Sequence, residues 1–187
     1  VIPPIIPETA NLFQVHSAGY KNPAQLPEGN VLVVGAGSSG AQIADELQSS
    51  GRSVFLSLGP TERPPRAYRG RDCVWWLGVL GKWETLPPPS GGRHVAIAVS
   101  GVDGGKTVDF RALAEAGVTL LGQTKQFDDG ILTLADDLAG NMAHADADYL
   151  SFLAEADAYV ERFGLDLPHD EAAHFLGDMP DCVINPI

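Results

Sequence analysis

Gly35, Gly37 and Gly40 stand in a Gly-x-Gly-x-x-Gly spacing between the apolar run 31–34 and a helical pattern that begins at Ala41. The chemistry such a spacing can do is phosphate binding. The first glycine permits a tight turn, the second lets a pyrophosphate approach the backbone, and the third lets the helix pack closely on the strand. Unpaired N–H groups at the helix N-terminus then face the anion. The spacing alone is a weak signal, and its context strengthens it. Ile43, Ala44 and Leu47 fall on one face of a helix over 41–50, and a second strand over 53–57 follows Gly51. The result is a β-α-β unit of about the ~30-residue length that such sites use.

Ser38 and Ser39 open the helix, where their hydroxyls can donate to phosphate oxygens or serve only as N-terminal caps. Gln42, one turn further, faces either the nicotinamide side of a dinucleotide or solvent. In folds of this kind the nucleotide is selected at the end of the second strand, where an Asp or Glu takes the ribose 2′-hydroxyl of NAD. Here that place holds Ser57-Leu58-Gly59, with no carboxylate before Glu62, and Arg63 and Arg66 follow in the next loop. A guanidinium grips a 2′-phosphate through two parallel charge-assisted bonds. The expected cofactor is therefore NADPH rather than NAD or FAD, with Ser57 at the ribose and Arg63 or Arg66 at the 2′-phosphate. The competing reading of the arginines is a solvated basic loop that pairs with an acidic body.

That body carries a formal net charge of −12 over 187 residues, with only 12 Lys+Arg. Such a field opposes nucleic acids and anionic membranes as partners, while local donors at a helix terminus can still hold a nucleotide. No stretch approaches the ~18 apolar residues of a membrane span, and no leader pattern is evident, so a cytoplasmic protein is expected. Cys73 and Cys182 have no ligand-like spacing and read as reduced thiols.

The elements that must position the glycine turn follow from periodicity. The length fits one α/β unit, Rossmann-like, with a mainly parallel sheet of four or five strands flanked by helices, a β-hairpin, and a long C-terminal helix. Pro64 and Pro65 exclude a regular helix from the basic loop, and 74–83 is a short apolar helix. Residues 94–100 form a β-branched and alanine-rich run between glycine-rich turns. A helix over 109–116 with Phe110, Leu113 and Ala114 inward stops at Gly117, and a strand over 118–121 follows. Asp129-Gly130 is a hairpin turn within 126–134. A helical stripe over 136–163, with a break at Gly140 left open, ends at Gly164. The segments 1–28 and 168–187 are proline-marked and read as extended linkers, with no closing helix at the C-terminal side.

The chain resembles the flavin-dependent monooxygenases and, more closely, bacterial flavin-containing oxidoreductases. The matching stretches are His16-Ser-Ala-Gly-Tyr20, Gly35-Ala-Gly-Ser-Ser-Gly-Ala-Gln42 and Arg69-Gly-Arg-Asp-Cys-Val-Trp-Trp76. The resemblance implies that 1–187 is an NADPH-binding domain set within a larger FAD-binding protein. The FAD domain of the same parent chain would be its partner, and FAD is not expected to bind this chain alone. It implies hydride passage from NADPH to flavin in the parent enzyme. His16 and Tyr20 would orient cofactor at the domain junction; as plain loop residues they would be structural hydrogen-bonders. The family fingerprint Phe-x-Gly-x-x-x-His would place Phe and Gly where Ala10 and Leu12 stand, and an arginine common after the second strand is replaced by Gly59. A different class remains open: a stand-alone NADP-binding sensor without turnover, or a domain that only mediates assembly.

No residue reads as a catalytic nucleophile or base, so no catalytic residue is assigned. Trp75, Trp76 and Trp83 read as core packing, because they lie among Val74, Leu77, Val79 and Leu80. Asp136, Asp137, Asp146 and Asp148 read as a solvated helix face, and His169 and His174 fit no metal pattern.

Overall fold

In the computed structural model, residues 5–84, 96–101 and 104–184 are described. Two short 3-10 turns, Ser17–Gly19 and Pro23–Gln25, carry the chain to the first strand, β1 (Val31–Val34). Helix α1 (Ser38–Ser49) crosses to β2 (Val54–Ser57), which lies parallel to β1 with Val31 opposite Val54 and Val34 opposite Ser57. Ala41, Ala44 and Leu47, spaced by threes, form the buried face of α1. Gly51, at φ +85°, turns the chain out of the helix.

Beyond β2 the chain forms β3 (Thr61–Glu62) and a small antiparallel hairpin of β4 (Ala67–Tyr68) and β5 (Arg71–Asp72). Helix α2 (Cys73–Val79) starts directly after, capped by the Asp72 carboxylate, which accepts the Val74 N–H. Strand β6 (Ala96–Ile97) pairs in parallel with β3. Helix α3 (Phe110–Glu115) is capped by Asp109 and followed by Gly117 at φ +107°. Next comes β7 (Thr119–Leu121), parallel to β2 on the side away from β1. The main sheet is thus three-stranded, in the order β1-β2-β7. The expected fourth and fifth strands are instead the separate β3·β6 pair, whose two-residue strands are too short to extend the sheet.

The hairpin of β8 (Thr124–Asp128) and β9 (Ile131–Leu134) turns through Asp129 and Gly130, at φ +49° and +81°. Both central residues are left-handed, as an Asp-Gly hairpin turn requires. Helix α4 (Leu138–Phe163) then runs 26 residues without interruption. Gly140 lies in its first turn, where no intrahelical N–H bond is at stake, so it does not break the helix. Gly164 ends α4 at φ +59°. A short helix, α5 (Asp181–Ile184), packs on β7 and buries Val183, where extended structure was expected.

Two apolar cores result. One lies between α1, the sheet, α3 and the first turns of α4; the other gathers Tyr68 and Trp76 around Tyr149, Phe152, Leu153, Ala156 and Val160 of α4. The stripe Leu138, Met142, Ala145, Tyr149, Phe152, Ala156, Val160 advances by threes and fours, so one face of one helix joins both cores. Trp76 is fully buried as expected and Trp75 packs at the margin, whereas Trp83 is 60% exposed. Gly81, at φ +68°, ends α2 and turns Trp83 out of the core.

Candidate functional site

The glycine turn is built by covalent constraint at two positions. Gly35 has φ +94°, a backbone that side-chain-bearing residues rarely adopt, and its N–H donates to the Ser57 carbonyl at 3.0 Å. A Cβ at Gly40 would fall on the carbonyl oxygen of Gly35, so only glycine lets the first turn of α1 approach the end of β1 this closely. Gly37 is the N-cap of α1 in extended conformation, and no side chain caps the helix. Its carbonyl accepts the Ala41 N–H at 3.0 Å, which starts the helical ladder. The first N–H groups of α1 therefore gather where a phosphate oxygen can be received.

Ser38 and Gln42 meet the segment that follows β6. The Ser38 hydroxyl accepts the Val99 N–H at 2.9 Å, and Gln42 Nε2 reaches the Val99 carbonyl and Ser100 Oγ, each at 3.5 Å. Ser39 is exposed on the same turn. Tyr20 donates to Glu46 Oε2 at 2.9 Å and packs on the main core, which holds the segment 17–21 along the outer side of α1. Burial, and then the Glu46 carboxylate, push the Tyr20 hydroxyl up to about 12, so it remains a donor throughout the neutral range. Between this segment and α1 lies a cavity of about 600 Å³, lined by Tyr20, Lys21, Ser39, Gln42, Glu46 and Lys106, among others. Three of the sequence-derived candidates, Tyr20, Ser39 and Gln42, thus share one cavity. His16 is exposed and caps the Ser17–Gly19 turn by accepting the Ala18 N–H on Nδ1.

Ser57 and Arg63 lie elsewhere. The Ser57 hydroxyl is buried, donates to the Gly122 carbonyl at 2.9 Å and accepts from Thr124 N and Oγ1 at 3.0 Å, so it stitches β2 to the corner between β7 and β8. Arg63 is 3% exposed; its Nη2 donates to Asp146 Oδ1 at 2.7 Å, and its guanidinium lies 4.8 Å from the Tyr149 ring centroid. Arg111 donates to both oxygens of Asp146, at 2.9 and 2.7 Å. Burial pulls the Asp146 carboxyl upward, but hydrogen bonds from Arg111 and Arg63 outweigh it and hold the group below the usual carboxylate range. Asp146 is therefore the hub of an interior ion cluster rather than part of a solvated face.

Arg66 keeps a surface position. Its backbone N–H donates to Thr107 Oγ1 at 2.9 Å, its guanidinium pairs with Asp72 and reaches Cys73 Sγ, and it lies over Gly105, where a Cβ would collide with it. The Val74 N–H and then Arg66 hold Asp72 below its ordinary range, while burial pushes the Cys73 thiol up. Among the described residues, no group of three His, Cys, Asp or Glu side chains is arranged to hold a metal ion, and no helix is long and apolar enough to cross a membrane.

The partners that sequence reasoning missed are distant in the chain. Arg111 adjoins Phe110 on the inward side of α3, and Asp146 falls beside the apolar stripe of α4; a charge at each of those places was the available signal. A second cavity, of about 420 Å³, lies beside Tyr68, Arg69, Asp157 and His174. There Tyr68 donates to Asp157 at 2.9 Å, and Arg69 donates to Asp157 and to the Pro168 carbonyl, both at 2.9 Å.

Residues 9–61, which contain the His16-to-Tyr20 stretch and the whole β1-α1-β2 unit, match the family described as flavin-binding monooxygenase-like. An uncharacterized CzcO-like oxidoreductase of Geobacillus kaustophilus is 49% identical over 82 residues, 43% of this chain and 23% of that protein. The uncharacterized oxidoreductase CzcO of Bacillus subtilis is 44% identical over 71 residues, 38% of this chain and 21% of the relative. Mouse flavin-containing monooxygenase 5 is 34% identical over 67 residues, 36% of this chain and 10% of that enzyme. No solved structure matches. The chain is thus flavin-monooxygenase-like over its first β-α-β unit, and the matched stretch spans less than a quarter of the length of these relatives.

Proposed function

We propose that the chain is the NADPH-binding module of an FAD-dependent oxidoreductase of the monooxygenase-like class. The observation that carries this reading is the glycine turn, in which Gly35 at φ +94° and the close approach of Gly40 to Gly35 leave the start of α1 without a side-chain cap. That geometry fits a pyrophosphate, because the glycines remove the side chains that would block it and the helix supplies N–H donors and a partial positive charge. A bound NADPH would supply the hydride for reduction of flavin in the parent protein.

This chain's own residues bind and orient. The α1 N-terminus receives the pyrophosphate, and Ser39 stands exposed on its first turn. Gln42 and Tyr20 line the adjoining cavity. His16 shapes the turn that leads to Tyr20. Of the two arginines in the basic loop, Arg66 takes the 2′-phosphate, since Arg63 is committed to Asp146 in the interior. Ser57 supports the ribose side by fixing the end of β2, its hydroxyl being held by Gly122 and Thr124. The sequence offers no carboxylate in the usual NAD-selecting place, which favours NADPH.

The experiment is a titration of the chain with NADPH and with NADH, for the wild type and for Arg66→Ala. Tighter binding of NADPH, lost in Arg66→Ala without change in NADH affinity, supports the reading. Equal affinities in the wild type contradict the 2′-phosphate assignment.

A further inference from the structure

We infer that Gln123, oriented by Lys125, is a specificity-determining residue of the dinucleotide site, one that donates to the adenosine 2′-phosphate from the corner between β7 and β8. The inference rests on the glycine turn being the NADPH site, as proposed above. It concerns the place where the second strand lacks a selecting side chain.

In dinucleotide-binding β-α-β units that side chain stands about 20 residues beyond the glycine turn. Here the place falls at Gly59, 19 residues beyond Gly40, which has no side chain to offer. The three parallel strands end together, because the Gly35 N–H donates to the Ser57 carbonyl at 3.0 Å and the Leu58 N–H to the Leu121 carbonyl at 2.8 Å. Gly59 and Gln123 each lie two residues past a carboxyl strand end, the edge at which such sheets bind ligands. A Cβ at Gly59 would lie 3.2 Å from Gln123 Nε2. The Gln123 amide therefore stands beside Gly59, in the space that a selecting side chain at 59 would enter.

Three contacts fix Gln123 and leave its donor end over. Its backbone N–H donates to Asp137 Oδ1 at 2.9 Å, its carbonyl accepts the Ala135 N–H at 2.8 Å, and its Oε1 accepts from Lys125 Nζ at 2.8 Å. An ammonium can only donate, so Lys125 decides which way the amide faces. Nε2 is what remains, and among the described residues it has no hydrogen-bond partner. The adjoining backbone is pinned as well: the Leu58 carbonyl accepts from Asn141 Nδ2 at 2.9 Å and the Gly59 carbonyl from Thr61 Oγ1 at 3.0 Å.

The polarity of this group decides which coenzyme it favours. An Asp or Glu at this place accepts the ribose 2′-hydroxyl of NAD, whereas an amide N–H donates to phosphate oxygens through a charge-assisted bond. A phosphate ester presents three acceptor oxygens, so this donor adds to Arg66 rather than replacing it. The corner also holds the Asp137 carboxylate, whose charge the Lys125 ammonium offsets.

The test is calorimetric titration of NADPH and NADH against the full chain as wild type, Gln123→Glu, Lys125→Met and Lys125→Arg, with thermal melting of each variant as the folding control. Gln123→Glu keeps the size of the side chain and exchanges its donor for an acceptor. The expected result is a roughly tenfold loss of NADPH affinity in Gln123→Glu with NADH affinity retained. Lys125→Met should move the NADPH-to-NADH ratio the same way by less, and Lys125→Arg should restore it. Adenosine 2′,5′-bisphosphate and 5′-AMP, titrated as probes of the adenosine end alone, should show the same change of ratio. If the wild type binds neither coenzyme, the glycine-turn reading fails and this inference with it. If the wild type prefers NADPH and folded Gln123→Glu keeps that preference, only the inference is overturned. Equal affinities, or a preference for NADH, in the wild type would overturn the 2′-phosphate contact at both Arg66 and Gln123.

Discussion

Arg63 donates to Asp146 at 2.7 Å across a separation of 83 residues, and Arg111 closes on the same carboxylate from α3. The cluster joins the loop after β3, the inner side of α3 and the middle of α4 at the boundary between the two cores. Removing one partner of a buried ion cluster leaves charge uncompensated in a poorly solvated place, at a cost of about 3–5 kcal/mol. Asp146→Ala should therefore lower the denaturant midpoint sharply, with most of the loss shared in the double variant Asp146→Ala/Arg63→Met. A near-neutral Asp146→Ala would show that the cluster carries no structural weight.

The same carboxylate sets an acid limit. Its folded-state value is held below the ordinary carboxyl range, so its contribution is fully present above about pH 4 and is lost as pH falls through the folded value. Stability measured by denaturant titration between pH 6 and pH 2 should fall at the acid end for the wild type, and the fall should be shallower in Asp146→Asn. Parallel curves would contradict this assignment.

Asp148 has the opposite sign. Burial, and then the charge of Glu62, raise its carboxyl above the ordinary range despite a hydrogen bond from the Arg63 backbone. Its contribution is present below about pH 4, the ordinary carboxyl value, and is lost as pH rises through the raised folded value. Ionised Asp148 thus weakens the fold at neutral pH. Asp148→Asn keeps an acceptor for the Arg63 N–H, so it should melt at a higher temperature than wild type at pH 7, and the advantage should shrink toward pH 4.

Gly40 and Gly35 are open to direct substitution. Gly40→Ala must displace the first turn of α1 from the end of β1, and overpacking of this kind costs about 1–3 kcal/mol. Gly35→Ala is strained by its positive φ although no atom lies within 4 Å of the added Cβ, at a cost of about 1–3 kcal/mol. Both variants should lose coenzyme binding at temperatures where they remain folded. Unchanged binding in folded Gly40→Ala would remove the turn from the site.

What the sequence revealed of this fold was what neighbours in the chain decide. The Gly35-to-Gly40 turn, the Gly117 stop, the Asp129-Gly130 hairpin and the Gly164 stop each depend on a few adjacent residues, and each stands where periodicity and turn chemistry place it. The face of α4 was likewise readable, because its apolar spacing repeats over seven turns. Arg63 was not, since nothing near it in the chain announces Asp146, and an arginine between proline and acid reads as surface. The partners of the Ser57 hydroxyl were hidden for the same reason: Gly122 and Thr124 arrive only when β7 closes on β2. Tyr20, Ser39 and Gln42 were singled out from local motifs, yet the cavity they share with Lys21 and Lys106 emerges only when distant segments, such as Val99 and Thr107, are brought to α1.

The central claim, that the glycine turn holds a dinucleotide and the loop carrying Arg66 selects NADPH, is tested most directly by the ratio of NADPH to NADH affinity measured by calorimetry on the wild-type chain at fixed ionic strength. The account predicts that NADPH binds at least about tenfold more tightly, the equivalent of one charge-assisted phosphate contact of about 1.4 kcal/mol. Equal affinity for the two coenzymes, or binding of neither, would contradict it.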